Sequence, residues 1–436
     1  MSQDVLIIGG GISGIQAALD LGDQGFHVYL VERTPSIGGR MSQLDKTFPT
    51  LDCSACILTP KMVDVGSHPN IELMTYSEVK EVSGKAGNFK VKVLKKPRYV
   101  NIDMCVGCGT CASKCPMKIP SEFDSGLSKR SAIYVPFPQA VPLKYTIDAD
   151  HCLYLTRGVC GLCEQVCPAS AIDFNQEEEV VELDIGAIIV ATGFDPYDPS
   201  TETVYGYQRF PNVITGLEFE RLINASGPTH GHMERPSDQE LPKRVAFVQC
   251  VGSRNEKIGN PYCSRVCCMY AIKNAILMKE HYPDTDISIF YIDIRAFGKG
   301  FEEFYNRAEE EFDIKFIKGR VSEIQEDPNT NNLFLKAFNT ITGTLLHAEA
   351  DLAVLSVGLR PPAGHENLAK MLDIPLSNNG FFAESDLKYS PVTTTKDGIF
   401  IAGVAQGPKD IPDSVAQASG AASAAAVFLA KVKVGE

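Results

Sequence analysis

The sequence predicts an α/β chain with two parallel, dinucleotide-type sheets, the first interrupted by a cysteine-rich insert. Three observations predict it. Residues 5–8 are apolar throughout and run into Gly9-Gly10-Gly11-Ile12-Ser13-Gly14 and a helical pattern. A second apolar run at residues 244–249 opens another strand–helix alternation. Between them, residues 105–167 hold eight cysteines in two groups. The chain has 436 residues, 44% of them hydrophobic, which suffices for two or three packed domains.

The first unit reads as follows. Val-Leu-Ile-Ile at 5–8 is a buried parallel strand. Gly9 permits a tight turn, Gly11 lets the backbone approach a pyrophosphate at a helix N-terminus with Ser13 in its first turn, and Gly14 allows close helix packing. A strand at 27–31 ends at Glu32 and Arg33, where a carboxylate is placed to accept hydrogen bonds from an adenosine ribose. A second glycine turn carries Gly39, Arg40 and Met41; Ala191-Thr192-Gly193 follows an apolar strand at 186–190. Gly403 ends a strand at 398–403, before an Ala-rich helix at 416–430 that serves either a contact between subunits or internal packing. A bound dinucleotide is expected.

These successive motifs resemble the two-dinucleotide-domain flavoprotein family that includes thioredoxin reductases and the small subunit of glutamate synthase. The resemblance implies that the first unit holds FAD, through Gly9, Gly11, Ser13, Gly14, Glu32, Arg33, Gly39, Arg40, Met41, Ala191, Thr192, Gly193 and Gly403, and that the C-terminal strand and helix close over the isoalloxazine ring. In one place the chain departs from the family. Val404 stands where the family has an Asp on the flavin ribityl chain, so that contact must come from elsewhere.

The insert begins after a basic segment, Lys95-Lys96-Pro97-Arg98, read as a solvated linker. Cys105, Cys108, Cys111 and Cys115, followed by Pro116, have the spacing of a bacterial ferredoxin cluster. Cys152, Cys160, Cys163 and Cys167, followed by Pro168, repeat it with a longer first gap. Three thiolates on a tight loop hold one cubane, and the fourth, after a short helical turn, reaches the other. One [4Fe–4S] cluster is therefore expected at Cys105, Cys108, Cys111 and Cys167, the other at Cys152, Cys160, Cys163 and Cys115. Two zinc sites are the rival, disfavoured by the repeated proline-terminated run. Upstream, Cys53 and Cys56 form a C-x-x-C that reads as a redox dithiol, half a metal site or two buried thiols.

After a loop region at 195–241, the strand at 244–249 opens the second unit, where a nicotinamide cofactor would bind. Its glycine loop is missing, since only Gly252 remains. Cys250, Cys263, Cys267 and Cys268 stand in its place. A helix from Cys263 would put Cys263 and Cys267 on one face beside Cys250, the ligand set of a third [4Fe–4S] cluster; four structural thiols are the alternative. Further on, Arg295 and Lys299 are surface cations or hold a cofactor phosphate or tune the flavin, which makes Lys299 the one catalytic candidate besides the FAD itself.

Whole-chain composition narrows the function classes. A net charge of −13 argues against nucleic acid or anionic lipid as the main partner. Fourteen cysteines, in metal-ligand groupings, point to a reducing cytoplasm of an anaerobe, where disulfides do not persist. No basic run precedes Val5, so no signal peptide is expected, and no apolar run is read as a membrane span. The expected divisions are 1–95 (FAD domain), 96–178 (ferredoxin-like insert), 179–240 (FAD domain, return), 241–358 (second unit) and 359–436 (FAD domain, C-terminal part).

With these motifs in place, the chain resembles the A-type subunits of heterodisulfide reductases along essentially its whole length. The match includes Gly39-Arg40-Met41, Leu44-Asp45-Lys46-Thr47-Phe48-Pro49, Asp52-Cys53-Ser54-Ala55-Cys56 and Gly259-Asn260-Pro261-Tyr262-Cys263-Ser264-Arg265-Val266-Cys267-Cys268. The resemblance implies a cytoplasmic iron–sulfur flavoprotein of a multi-subunit complex. It passes electrons between a delivering unit (a hydrogenase, formate dehydrogenase or ferredoxin) and a pair of B- and C-type subunits, with the flavin bifurcating electrons in some complexes. It also implies a short form, without the extra N-terminal region and C-terminal ferredoxin domain of the long forms. The competing expectation is an NAD(P)H-dependent flavin oxidoreductase with a ferredoxin insert, against which the missing second glycine loop speaks.

Overall fold

The computed structural model describes residues 2–434. Strand β1 (Val5–Ile8) pairs in parallel with β2 (Val28–Glu32) on one side and with Ala187–Val190 on the other. Strands β3 (Ile71–Thr75) and Ile399–Ile401 complete a five-stranded sheet in the order 399–401, 187–190, β1, β2, β3, parallel throughout. β1 has no polar residue because both its faces are covered. Val5 and Ile7 pack against helices α1 (Ile12–Asp23), α2 (Ser54–Ser67) and Ile411–Val434, while Leu6 and Ile8 pack against a second, antiparallel sheet.

That second sheet consists of β4 (Ser77–Lys85), β5 (Asn88–Lys95) and Glu179–Ile185. Its register sets Glu179 opposite Lys95, so the chain leaves the sheet after residue 95 and rejoins it at 179 beside its own exit. The intervening excursion carries three five-residue helices, α3 (Thr110–Lys114), α4 (Leu153–Arg157) and α5 (Leu162–Val166). Its small core counts Cys105, Cys111 and Cys152 among its buried members, with Val100, Ile133, Ile147 and Ile172.

The excursion is docked on the first sheet. The basic segment read as a solvated linker is in part its anchor. Arg98 is buried and donates to Pro35 O (2.8 Å), Thr75 Oγ1 (2.6 Å) and Thr146 Oγ1 (2.7 Å), and burial pushes its pKa down to about 10. Ser36 Oγ accepts from the Val141 N–H (2.9 Å), and Val141 O accepts from Ile37 N–H (3.0 Å).

The second unit is a seven-stranded sheet in the order 213–215, 352–357, 244–251, 286–291, 315–326, 333–339, 344–350, parallel up to 315–326 and antiparallel beyond. It carries α6 (Gly216–Ile223), α7 (Cys267–His281) and α8 (Phe301–Glu310). The stretch read as a loop at 195–241 thus contains a strand, Val213–Thr215, and α6. Glu218, Glu220 and Arg221 hid the helix, because they face inward where apolar residues are expected. Its Thr215/Glu218 capping box was the readable signal.

Helix Ile411–Val434 is longer than the expected 416–430 and, by length and composition alone, is apolar enough to cross a membrane, contrary to the sequence reading. Here it is a packing helix. Ala418, Ala421, Ala422, Ala425 and Leu429 are fully buried against α1 and the first sheet.

Candidate functional site

At the C-terminal ends of the first sheet's strands lies a cavity of about 650 Å³. Gly9, Gly11, Ser13, Glu32, Arg33, Gly39, Arg40, Met41, Ala191, Thr192 and Gly193 all line it. Gly14 and Gly403 stand behind the wall and shape it. A Cβ on Gly14 would lie 1.9 Å from Gly9 O, and one on Gly403 would lie 2.0 Å from Ser13 Oγ.

Three observations test whether a dinucleotide fits. A Cβ on Gly11 would meet nothing nearer than Gly39 Cα at 4.0 Å, so this backbone faces open space where a pyrophosphate needs close approach. Helix α1 starts at the next residue without a side-chain cap, leaving its first N–H groups for an anion. Thr192 Oγ1 is buried on the wall with no hydrogen-bond partner among the described residues. Glu32 locks the turn: its Oε2 accepts from Gly10 N–H (2.7 Å) and its Oε1 from Thr34 N–H (2.8 Å). Thr34 Oγ1 also donates to Oε1 (2.8 Å), so the lone pair left to offer is on Oε2.

The rest of the wall comes from elsewhere in the chain. The excursion supplies Ser121, Phe123, Arg130, Tyr134 and Phe137. The second unit supplies Glu220, Val266, Tyr270 and Lys273. Lys273 is 1% exposed; its ammonium bonds Lys46 O (3.2 Å) and pairs with Glu220, itself 2% exposed. Val404, in place of the familiar Asp, is flanked on the wall by Lys409 and Asp410. Lys409 Nζ donates to Gly403 O (2.7 Å) and Gly407 O (2.8 Å), and burial pushes its pKa down to about 8. Lys299, the catalytic candidate from sequence, is exposed and off this wall, as is Arg295.

Twelve cysteines are free. Cys105, Cys108, Cys111 and Cys167 line one small pocket of the excursion; Cys115, Cys152, Cys160 and Cys163 line another. The fourth cysteine of each run thus crosses to the other's pocket. Two sets of four thiols, each lining its own pocket, suit two [4Fe–4S] clusters.

In the second unit, Cys250 sits at the strand end with φ +62°. The helix starts at Cys267, not at Cys263 as the spacing suggested; Cys263 lies in the loop before it and accepts from Arg265 N–H (3.3 Å). The loop is held off helical geometry because Ser264 Oγ is tied to Ser253 (2.6 Å) and to Leu359 N–H (2.9 Å). Cys250, Cys267 and Cys268 are buried. Burial, then the neighbouring cysteines, raise the pKa of Cys267 well above the ordinary value and push Cys268 up to about 12. Such a packed set ionises only against a cation, and metal binding there releases protons.

Cys53 and Cys56 are joined in a disulfide, against the expectation that none would persist.

Comparison with known proteins fits this geometry. A family model for FAD-dependent oxidoreductases matches residues 4–51, and one for 4Fe–4S binding domains matches 98–121. The A-type subunit of the H(2):CoB-CoM heterodisulfide,ferredoxin reductase of Methanothermobacter thermautotrophicus is 58% identical over 98% of this chain and 64% of its own length. An Archaeoglobus profundus protein, described as similar to the A-type subunit of heterodisulfide reductase, is 49% identical over 100% of this chain and 67% of its own.

The chain belongs to the family of heterodisulfide reductase A-type subunits.

The two family models give it FAD and [4Fe–4S] clusters as cofactors. It spans 64% of the length of the M. thermautotrophicus relative. Among solved structures, thioredoxin reductase of Lactococcus lactis matches with a TM-score of 0.54 at 16% identity, over 99% of this chain and 100% of that one. That of T. acidophilum matches at 0.53 and 13%, over 99% and 100%. Both show the fold alone, a thioredoxin reductase-like α/β fold.

Sequence reasoning passed over Lys273, Glu220 and Lys409 in this member of the heterodisulfide reductase family. One signal existed. Lys273-Asn274 interrupts a helix otherwise apolar on most sides, and a lysine there needs a buried partner.

Proposed function

We propose that the chain relays electrons between partners in a cytoplasmic heterodisulfide reductase-like complex, a pair of B- and C-type subunits and an electron-delivering unit. In this reading FAD lies in the 650 Å³ cavity and [4Fe–4S] clusters lie in the two thiol-lined pockets of the excursion, residues 96–178. A third cluster lies at Cys250, Cys263, Cys267 and Cys268 in the second unit. The observation that carries it is the first turn of α7. Cys267 and Cys268 belong to the cysteine set, while Val266, Tyr270 and Lys273 on the same turns line the flavin cavity. A two-electron cofactor and a one-electron centre would share one helix end.

Bound in these places, the flavin supplies exchange between paired and single electrons, and the clusters carry electrons singly. The protein's residues do the rest. The glycine turn and the N–H groups of α1 hold the dinucleotide's phosphates. Lys273, held by Glu220 and Lys46 O, places one fixed positive charge on the wall, and Lys409 places another at the Val404 gap.

Strand Ile133–Tyr134 separates the excursion's pockets from the cavity. Ile133 faces the pocket of Cys115, Cys152, Cys160 and Cys163, and Tyr134 faces the cavity, as neighbours on a strand must. That cluster would be the inner one and the Cys105 set the outer. Cys108 and Cys160 are exposed, beside exposed Val106 and Val159, so each pocket also meets the surface where a partner would dock.

A nicotinamide site at the second unit lacks room. A Cβ on Gly252 would lie 2.1 Å from the Tyr197 ring, where Gly11 faces open space. Anaerobically purified protein should carry about twelve iron atoms per chain, and its reduced flavin should not be reoxidised by NAD(P)+. About eight iron atoms, or rapid reoxidation, would overturn the reading.

A further inference from the structure

We propose that Cys53–Cys56 is a redox-active disulfide that exchanges electron pairs with an external thiol or dithiol at the protein surface. The proposal goes beyond the electron relay and does not depend on it. Cys53 and Cys56 form the disulfide found among the described residues; the other twelve cysteines are free. They open α2, a helix of fourteen residues. Cys53 is the N-cap, and its Sγ accepts from Cys56 N–H at 3.2 Å. The first turn carries no acidic residue, and the carboxylate of Asp52, just before it, is exposed to solvent and accepts from Thr50 Oγ1 (2.5 Å). A thiolate on Cys53 would thus have a fixed donor and the positive end of a helix, the two features that lower a cysteine pKa in C-x-x-C motifs.

Access is open. Cys56 is exposed, and Ile57 (39% exposed) and Val63 (51%) on the same helix give an approaching peptide or cofactor an apolar rim. A disulfide serving only stability would hold distant segments together; this one spans a separation of three residues and closes a loop too short to constrain much. It is also joined to the flavin cavity. Cys53 bridges to Lys46 across the turn, Ser54 Oγ donates to Met41 O (2.7 Å), and Lys46 and Met41 line the cavity.

The step balances. An external thiolate attacks Cys56 Sγ, a new S–S bond forms, the Cys53–Cys56 bond breaks, and Cys53 leaves as the stabilised thiolate. A second external thiolate then attacks the external sulfur of the mixed disulfide, and Cys56 leaves and takes up a proton. Two thiols are oxidised to one disulfide, and the protein disulfide is reduced to a dithiol.

The test uses the anaerobically purified, cofactor-loaded chain, equilibrated with graded mixtures of reduced and oxidised dithiothreitol, then alkylated and mapped by mass. The pair should pass from fully oxidised to fully reduced in the native protein. Cys53→Ser, which keeps a good cap, should trap glutathione as a mixed disulfide at Cys56 when given oxidised glutathione. Cys56→Ser should leave a Cys53 thiol that iodoacetamide alkylates at least tenfold faster at pH 6.5 than it alkylates glutathione. A pair that is reduced only after denaturation, or a Cys53 no faster than glutathione, would overturn the proposal. So would loss of iron from the double serine variant, because the two sulfurs would then be metal ligands. Iron and flavin contents are read on every variant, so failure here is separate from failure of the relay.

Discussion

The two sheets begin alike and part at the same point. In the first, three residues (9–11) join β1 to α1, Gly9 turns at φ +110°, and the space before the helix is open. In the second, fifteen residues (252–266) separate strand Arg244–Val251 from α7. Ser253, Ser264 and Tyr197 crowd what would be the cradle. A helix N-terminus is a site for negative charge in either case. In the proposed reading a ligand's phosphates bring that charge in the first unit, and thiolates ionised by a bound cluster bring it in the second. A short glycine turn leaves room for a guest, and a long loop delivers side chains.

Breaking this contrast should begin with its most costly element. Lys273→Met leaves Glu220 buried without its cation and should destabilise the chain by about 3–5 kcal/mol, read by chemical denaturation. A loss under about 1 kcal/mol would mean Glu220 is protonated or hydrated. Gly14→Ala should cost about 3 kcal/mol and release the flavin, because the new methyl overlaps Gly9 O. Gly252→Ala should strain the second unit yet leave flavin content unchanged; flavin loss there would erase the distinction between the units.

Cys267→Ser should remove about four of about twelve iron atoms with flavin retained. Unchanged iron would return the set to four structural thiols. Chelation of iron should expose the backbone amides of residues 96–178 to hydrogen exchange well before those of the first sheet, because cysteines are part of the excursion's own core. Smallest of all, Glu32→Gln should weaken flavin binding by about tenfold, one hydrogen bond to a charged group. Titration of the apoprotein with FAD measures it.

The legible parts were those where a few adjacent residues carry the whole physical requirement. The turn at Gly9–Gly14 was legible because Gly9 turns at φ +110° and Gly14 has no room for a Cβ beside Gly9 O, and the excursion's eight cysteines because a cluster dictates ligand spacing. The start of α7 was misread, since Ser264 is held by Ser253 and Leu359 at a distance no local pattern reveals. Lys299 was named as a cation that could tune the flavin, while Lys273, within the apolar helix that follows the cysteines, drew no reading.

By itself the sequence determined which cofactors this protein can hold, because glycine turns and cysteine spacings are local and their chemistry does not wait for the fold. Tertiary structure alone decided that the large cavity is walled by three parts of the fold, the first unit, the excursion and the second unit. It also decided that Lys273 meets Glu220 there and that the second unit's cysteines end on the same helix turn as the cavity. Those relations join residues tens to hundreds of positions apart, and they exist only once burial of the apolar faces has fixed how the sheets and the excursion pack.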